Sequence, residues 1–324
     1  MGRIHRLSRL GLAGIVLTVL GSSPSSQSNT LARDPASSFT VCTFGRCQQL
    51  DFKYGEPYFR AGETLDRKLD SKLMGREMPY RVIVPPGYDA LKLREPNGYP
   101  VIYLLHGLTG SYSNWTDRTK LAEYLTAHKF IIVTPEGVNG WYTDSPTKPN
   151  DKYESYIIKE LIPQIEKDFR AIPDRKGRII VGLSMGGFGA VKFGLKYPEM
   201  FSLVGSFSGA VGASSYRTLE ELPPSLQKIL VGTFGEPGGD THKANDLFRI
   251  VSDAWPQKIK AMPFIYMSCG TEDFLIQNNR DFLALLNQKR IPHEYREMPG
   301  GHTWAFWDDQ VREFLAVAGR RMKN

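Results

Sequence analysis

Three cysteines in 324 residues are too few for a disulfide scaffold. No two Cys or His residues stand at zinc-ligand spacing, which sets aside a zinc-finger or zinc-ribbon reading. An excess of one charge is missing as well. The formal net charge is +7, and loss of residues 1–32, which hold three basic and no acidic residues, would bring it to +4. That surplus is too small and too scattered for a nucleic-acid-binding surface. No internal repeat is present, so a solenoid or propeller is not indicated. The N-terminal apolar run "LGLAGIVLTVLG" (10–21) is too short to span a bilayer.

That run follows Arg3, Arg6 and Arg9 and precedes the polar stretch "SSPSSQSNTLARDPASS", the layout of a secretory signal. Residues 1–32 are therefore expected to be a signal and leader, cut after Gly21 or Ala32, and the protein to be exported, periplasmic or secreted, with no stable membrane insertion afterwards. The Ser-, Pro- and Asn-rich segment 22–40 reads as a flexible leader, with order beginning near Val41. In an oxidising compartment Cys42 and Cys47 are close enough in sequence to pair. Cys269 lies in an apolar run and reads as a buried thiol.

The rest of the chain, 41% hydrophobic overall, is enough to bury a sizeable core as one domain over residues 33–324. Six near-continuous apolar runs, at 80–84, 99–107, 130–137, 178–184, 203–209 and 263–270, suit strands buried on both faces. Helical patterns separate them. Asp151 with Glu154 resembles a capping box, the apolar stripe behind it runs from Ile157 to Phe169, and Pro163 inside it predicts a kink. Trp304, Trp307, Val311, Phe314 and Leu315 give the last helix a buried stripe. Alternating strands and helices predict an α/β fold with a mainly parallel sheet covered on both faces. Residues 210–262 exceed what a simple crossover needs and are expected to form a cap-like insertion before the next strand.

The stretch "RIIVGLSMGGFGAVKFGLKYP" (178–198) sets Ser184 between Gly182 and Gly186 at a strand-to-helix junction. This is the context of a nucleophile elbow, where a serine sits at the apex of a strained turn and a Cβ two residues either side would collide with the adjoining strand or helix. A serine needs a base. Of the six histidines, His302, in the glycine-rich "MPGGHTW" between a strand-like run and the last helix, has the right place in the chain, whereas His293 starts that strand at its wrong end. The acid belongs after the preceding strand, where "PFIYMSCGTEDFL" offers both Glu272 and Asp273. Donors for an oxyanion are expected from the N–H of Met185, next after the serine, and the N–H of Leu108, in the loop after an early strand. His106 reads as a brace for that loop rather than a base. Trp115, Trp141 and Tyr142 are expected near the pocket, as an aromatic wall for an acyl group.

"YLLHGLTGSYSNW" (103–115), "GLSMGGFGA", "CGTEDFL" and "GGHTW", in this order, resemble the esterase D type of α/β-hydrolase, a group that includes S-formylglutathione hydrolases, tributyrin, feruloyl and acetylxylan esterases and mycolyltransferases. The likeness covers about residues 40–320 and includes "VPPGYD" (84–89) and "YESYIIKELIPQIEKDF" (153–169). It implies an α/β-hydrolase fold, Ser184 as nucleophile, His302 as base, Leu108 and Met185 as oxyanion donors, and Asp273 rather than Glu272 as acid. It also implies work without metal or organic cofactor on a small-molecule or sugar-linked ester. Carboxylesterase activity is expected, with acyl transfer by the same acyl-enzyme, or S-formylglutathione hydrolysis, as alternatives.

Overall fold

The computed structural model describes residues 63–88 and 97–322, together with the backbone of 39–43 and 46–50. The expected signal and the start of the leader lie outside the described residues. Strands β1 (Phe39–Thr43) and β2 (Arg46–Leu50) form an antiparallel hairpin whose register sets Cys42 opposite Cys47. The side chains of those two cysteines are likewise outside the described residues.

The main sheet has eight strands. They are β3 (Thr64–Ser71), β4 (Arg76–Ile83), β5 (Val101–Leu105), β6 (Ile131–Pro135), β7 (Arg178–Leu183), β8 (Leu203–Phe207), β9 (Phe264–Gly270) and β10 (His293–Met298). Their order across the sheet is β10-β9-β8-β7-β5-β6-β4-β3, parallel from β10 to β6 and antiparallel at the β6–β4 and β4–β3 pairings. All six apolar runs lie on strands. The edge strand β3 has no such signal, because "TLDRKLDS" is polar and mostly exposed and takes its conformation from β4.

Successive side chains of a strand point to opposite faces, so each central strand feeds two cores. In β5, Ile102 and Leu104 join one apolar cluster while Val101, Tyr103 and Leu105 join the other. The last helix (Trp304–Arg321) lays Trp307, Val311, Phe314 and Leu315 on the first of these, and the helix Met185–Lys196 lays Phe188, Val191 and Leu195 on the second. Between β8 and β9 the chain forms a 3₁₀ turn, Leu219–Glu221, and four short α-helices, Pro224–Phe234, Asp240–Asn245, Leu247–Ser252 and Pro256–Ala261. Phe234 from this segment packs edge-on against Phe188, one turn beyond Ser184. Among the described residues no helix is long and apolar enough to cross a membrane.

Two local expectations change. The segment 153–168 bends through a π-helical turn, Ile157–Leu161, between the helices Tyr153–Tyr156 and Ile162–Asp168. The wider turn accommodates Pro163, which has no N–H and whose ring crowds the carbonyl four residues back. The capping box is not formed: Lys152 is the residue before the helix, without a side-chain cap, and Asp151 instead pairs with Arg76 at 3.2 Å. Glu154 points into the protein. Its carboxylate lies 2.8 Å from the fully buried Lys192 Nζ and 2.6 Å from Lys196 Nζ, and it accepts the Tyr197 hydroxyl at 2.7 Å. Lys192 also donates to Thr143 Oγ1 at 2.8 Å and to the Tyr142 carbonyl, tying the helix after Ser184 to the 141–143 loop.

Burial pushes the Glu154 carboxyl up, but the Lys192 and Lys196 ammonium groups overcome it and hold its pKa at about 2. A carboxyl whose folded pKa lies below its unfolded value stabilises fully above the unfolded pKa and loses that contribution as pH falls through the folded one. Acid unfolding is thus expected to steepen below the ordinary glutamate pKa of about 4.3 and to continue toward 2. Glu154→Gln leaves Lys192 buried without its counter-charge and should cost about 3–5 kcal/mol at neutral pH. Thermal melts of both proteins from pH 7 to 3 check this: the gap should narrow on the acid side, and a constant gap would rule the pair out as the source.

Candidate active site

The geometry of β7 explains its glycines. Ser184 follows the strand with φ +51° and ψ −115°, a conformation that a residue with a side chain takes only under constraint. Its N–H donates to the Phe207 carbonyl at 2.9 Å and its carbonyl accepts from Ala210 and Phe188, each at 3.0 Å, so neighbouring elements impose the turn. A Cβ on Gly182 would fall 2.5 Å from the Gly186 carbonyl carbon, and one on Gly186 would fall 2.5 Å from the Leu105 carbonyl oxygen. Strand and helix could not fold back so tightly with any other residue at either place.

Three side chains from distant parts of the chain line up at this turn. His302 Nε2 is 3.0 Å from Ser184 Oγ, and His302 Nδ1 is 2.9 Å from Asp273 Oδ2. A carboxylate only accepts, so Nδ1 carries the hydrogen and Nε2 presents its lone pair to the serine hydroxyl. Asp273 is buried, and its other oxygen accepts the Leu275 N–H at 2.9 Å. Burial works to raise its pKa, but the bond and charge of His302 and the Leu275 N–H outweigh that and leave the carboxyl below its usual range. Glu272 faces solvent and is engaged by Thr271 and by the Gly300 N–H, away from the imidazole. The two carboxylates that the sequence left open are thus separated by the turn after Gly270. The His302 ring is flanked by Phe274, 4.6 Å between centroids, and by Trp307, 4.8 Å and perpendicular.

The loop after β5 runs directly over Ser184. A Cβ on Gly107 would stand 2.5 Å from the Leu183 side chain and 3.5 Å from Ser184 Cβ. The N–H groups of Leu108, just beyond, and of Met185, first in its helix, meet no protein acceptor among the described residues. Such unpaired donors are available to an oxyanion. His106 is buried and braces the turn: its Nδ1 lies 2.8 Å from the Gly107 carbonyl oxygen, and its Nε2 lies 2.9 Å from the Gly137 nitrogen.

The aromatic wall is not formed as expected. Trp115 is fully buried on the core side opposite the helix Met185–Lys196, donates its indole N–H to the Leu105 carbonyl at 3.1 Å, and packs on Trp304 and Phe207. Tyr142 is also fully buried and donates its hydroxyl to the His106 carbonyl at 2.9 Å, acting as a strut beneath the loop. Trp141 is 5% exposed and packs against Phe188 and Phe234. All three are large apolar rings that gain more from filling the core than from facing water. Cys269 is buried, and burial pushes its thiol up to about 12, as suits an inert core residue.

Glu136, not singled out in the sequence, organises this region. Its side chain, 13% exposed, lies 3.1 Å from His106 Nε2 and accepts the N–H groups of Val138 (2.6 Å), Gly137 (3.0 Å) and Tyr112 (3.2 Å). Burial pushes its pKa up, but His106 and these amides outweigh it and keep the carboxylate ionised below its usual range. Asn139 Oδ1 accepts the Thr109 N–H at 2.8 Å, so the 136–139 turn grips the loop bearing Leu108 at two points. The only sequence signal was its place at the end of an apolar run, "TPEG".

Residues 71–316 match the Esterase family model. The chain belongs to this esterase family. An acetyl esterase of Caldicellulosiruptor saccharolyticus is 28% identical over 253 residues, which is 74% of this chain and 92% of that protein. Among solved structures, a ferulic acid esterase superposes with a TM-score of 0.68 at 27% identity, covering 80% of this chain and 98% of that one. The fluorophosphonate-binding serine hydrolase F of Staphylococcus aureus shares the fold, with a TM-score of 0.69 at 24% identity over 79% and 98% of the two chains. The esterase is therefore an enzyme acting on ester bonds, built on the α/β-hydrolase fold.

Replacing Glu136 by Gln sets an N–H₂ against backbone N–H groups and loosens the loop that carries Leu108. Displacements on the order of 1 Å near a reacting centre cost up to about a hundredfold. Glu136→Gln is expected to lower kcat for a small ester ten- to a hundredfold and to speed amide exchange across 107–112. Unchanged kcat with unchanged exchange would free the loop from Glu136.

Proposed function

We propose that the protein is an exported serine carboxylesterase that hydrolyses small-molecule or sugar-linked esters through an acyl-enzyme on Ser184. The observation that carries this reading is the continuous line Asp273–His302–Ser184, bonded at 2.9 and 3.0 Å, with the serine at the apex of a strained turn. In acylation His302 Nε2 takes the Ser184 proton as Oγ attacks the ester carbonyl carbon. The carbonyl oxygen becomes an oxyanion that the Leu108 and Met185 N–H groups receive. His302 then returns the proton to the departing alcohol oxygen as that C–O bond breaks. A water molecule repeats the sequence on the acyl-enzyme, releasing the acid and restoring the serine. Asp273 holds the imidazole in the tautomer that can accept a proton and favours the imidazolium while it lasts. Acetyl and feruloyl esters are the acyl classes that the relatives' names suggest. Export is read from the N-terminal basic, apolar and small-residue pattern.

The reading is tested with a fluorophosphonate probe and ester turnover together. Ser184→Ala is expected to lose labelling and about six orders of magnitude in turnover, the loss seen when a serine nucleophile is removed from such a triad. Asp273→Asn should lose about 10⁴-fold with the geometry retained, and Glu272→Gln less than about tenfold. Turnover by the Ser184→Ala protein near the wild-type rate would end the proposal, and a reversed order of the two acid variants would move the acid to Glu272.

A further inference from the structure

The imidazole of His302 has two aromatic flanks, and they differ. Trp307 on one side is 6% exposed and held in the core, with its indole N–H donating to Ser208 Oγ at 3.2 Å. Phe274 on the other side is 38% exposed, tilted by 45° to the imidazole at 4.6 Å. Its neighbours Asp273 and Leu275 are 2% and 6% exposed, so the acid-bearing turn buries what flanks this ring and leaves the ring itself outside. Only Val138 and Trp255 are comparably exposed large apolar side chains among the described residues. Leaving an aromatic face in water forgoes the burial that drives folding. Here that ring stands beside the His302 imidazole.

We infer that the exposed face of Phe274 is the subsite for the alcohol portion of the ester, and that it favours alcohols presenting a flat or apolar face. This rests on the proposed role of His302 as the acid that protonates the leaving oxygen. That oxygen must come within hydrogen-bond reach of Nε2, on the Ser184 side of the ring. Whatever the oxygen carries then extends along the imidazole, where the Trp307 side is filled by the last helix and the Phe274 side is open. An aryl group or the C–H face of a sugar ring stacks on such a surface, whereas a methyl group leaves it uncovered. The acyl portion lies across the serine toward Leu108 and is not read by this ring.

The test holds the acyl group constant and varies the alcohol. Relative kcat/KM is measured for benzyl acetate, methyl 6-O-acetylglucopyranoside and methyl acetate with wild type, Phe274→Ala and Phe274→Tyr. Phe274→Ala is expected to lower the benzyl-to-methyl ratio, the sugar-to-methyl ratio or both by about tenfold, as loss of an aromatic contact does, while Phe274→Tyr retains them. The ratio of methyl butyrate to methyl acetate should stay constant in all three proteins. Partition of the acetyl-enzyme to added benzyl alcohol over water should fall in parallel, since an acceptor alcohol enters by the path a leaving alcohol takes. Equal loss on every ester, with all ratios preserved, would overturn the subsite and leave Phe274 as packing for His302. Ser184→Ala assayed on the same esters separates the two claims: its turnover at the wild-type rate removes the underlying mechanism, whereas an inactive Ser184→Ala beside preserved ratios in Phe274→Ala removes the subsite alone.

Discussion

A serine held at φ +51° and ψ −115° is the constraint around which this molecule is arranged. The conformation costs on the order of 1–3 kcal/mol and persists only where the surroundings over-determine it. They do so by contact and by hydrogen bonding. β7 and the following helix approach so closely that Gly182 and Gly186 have no room for a Cβ, β8 takes the serine N–H through Phe207, and the chain after β8 donates back through Ala210. Because these partners are central strands and the segments joined directly to them, the position of Ser184 is set by the buried centre of the fold.

Two carboxylates, Glu154 buried and Glu136 partly so, extend that rigidity outward. Glu154 binds Lys192 of the helix after Ser184, and Lys192 binds the Tyr142 carbonyl, so a charge pair behind the site anchors the 141–143 turn. Tyr142 in turn supports the His106 carbonyl. Glu136 gathers three backbone N–H groups and His106 from above. Thr109, Val138, Trp141 and Tyr142 all take positive φ in these turns. Strain there is offset by hydrogen bonds that only this arrangement completes, which is how a loop over an active site can be both irregular and rigid.

Much of this was legible in the residues, and what was not has physical causes. Runs such as "YPVIYLLHG" and "RIIVGLS" read as buried strands because parallel strands covered on both faces are apolar throughout. The glycine pair about Ser184 and the late histidine loop were readable because steric need and chain order leave few alternatives. β3 was not, since its stability comes from a partner and its pattern is polar. Glu154 was read as a cap, for sequence spacing cannot tell a carboxylate that turns back to its own helix from one that meets a lysine far along the chain. The aromatics failed for a related reason: Trp115 and Tyr142 carry one polar atom each, and a single backbone carbonyl satisfied it inside the core. Glu136 escaped notice because its partners are backbone groups, which no side-chain motif records.

The order of strands has a consequence for when chemistry can begin. Ser184 and His302 are separated by 118 positions, and β10, which leads into the histidine loop, is the outermost strand and, among the described residues, pairs only with β9. During synthesis the first half of the sheet and the serine turn emerge before the His302 imidazole that will lie beside them. Contacts of such long separation form late, because the entropy of closing the intervening chain must be overcome first. The contact between Ser184 and His302 therefore forms only when the final strand and helix dock, so a chain still being made holds the serine hydroxyl without its imidazole partner.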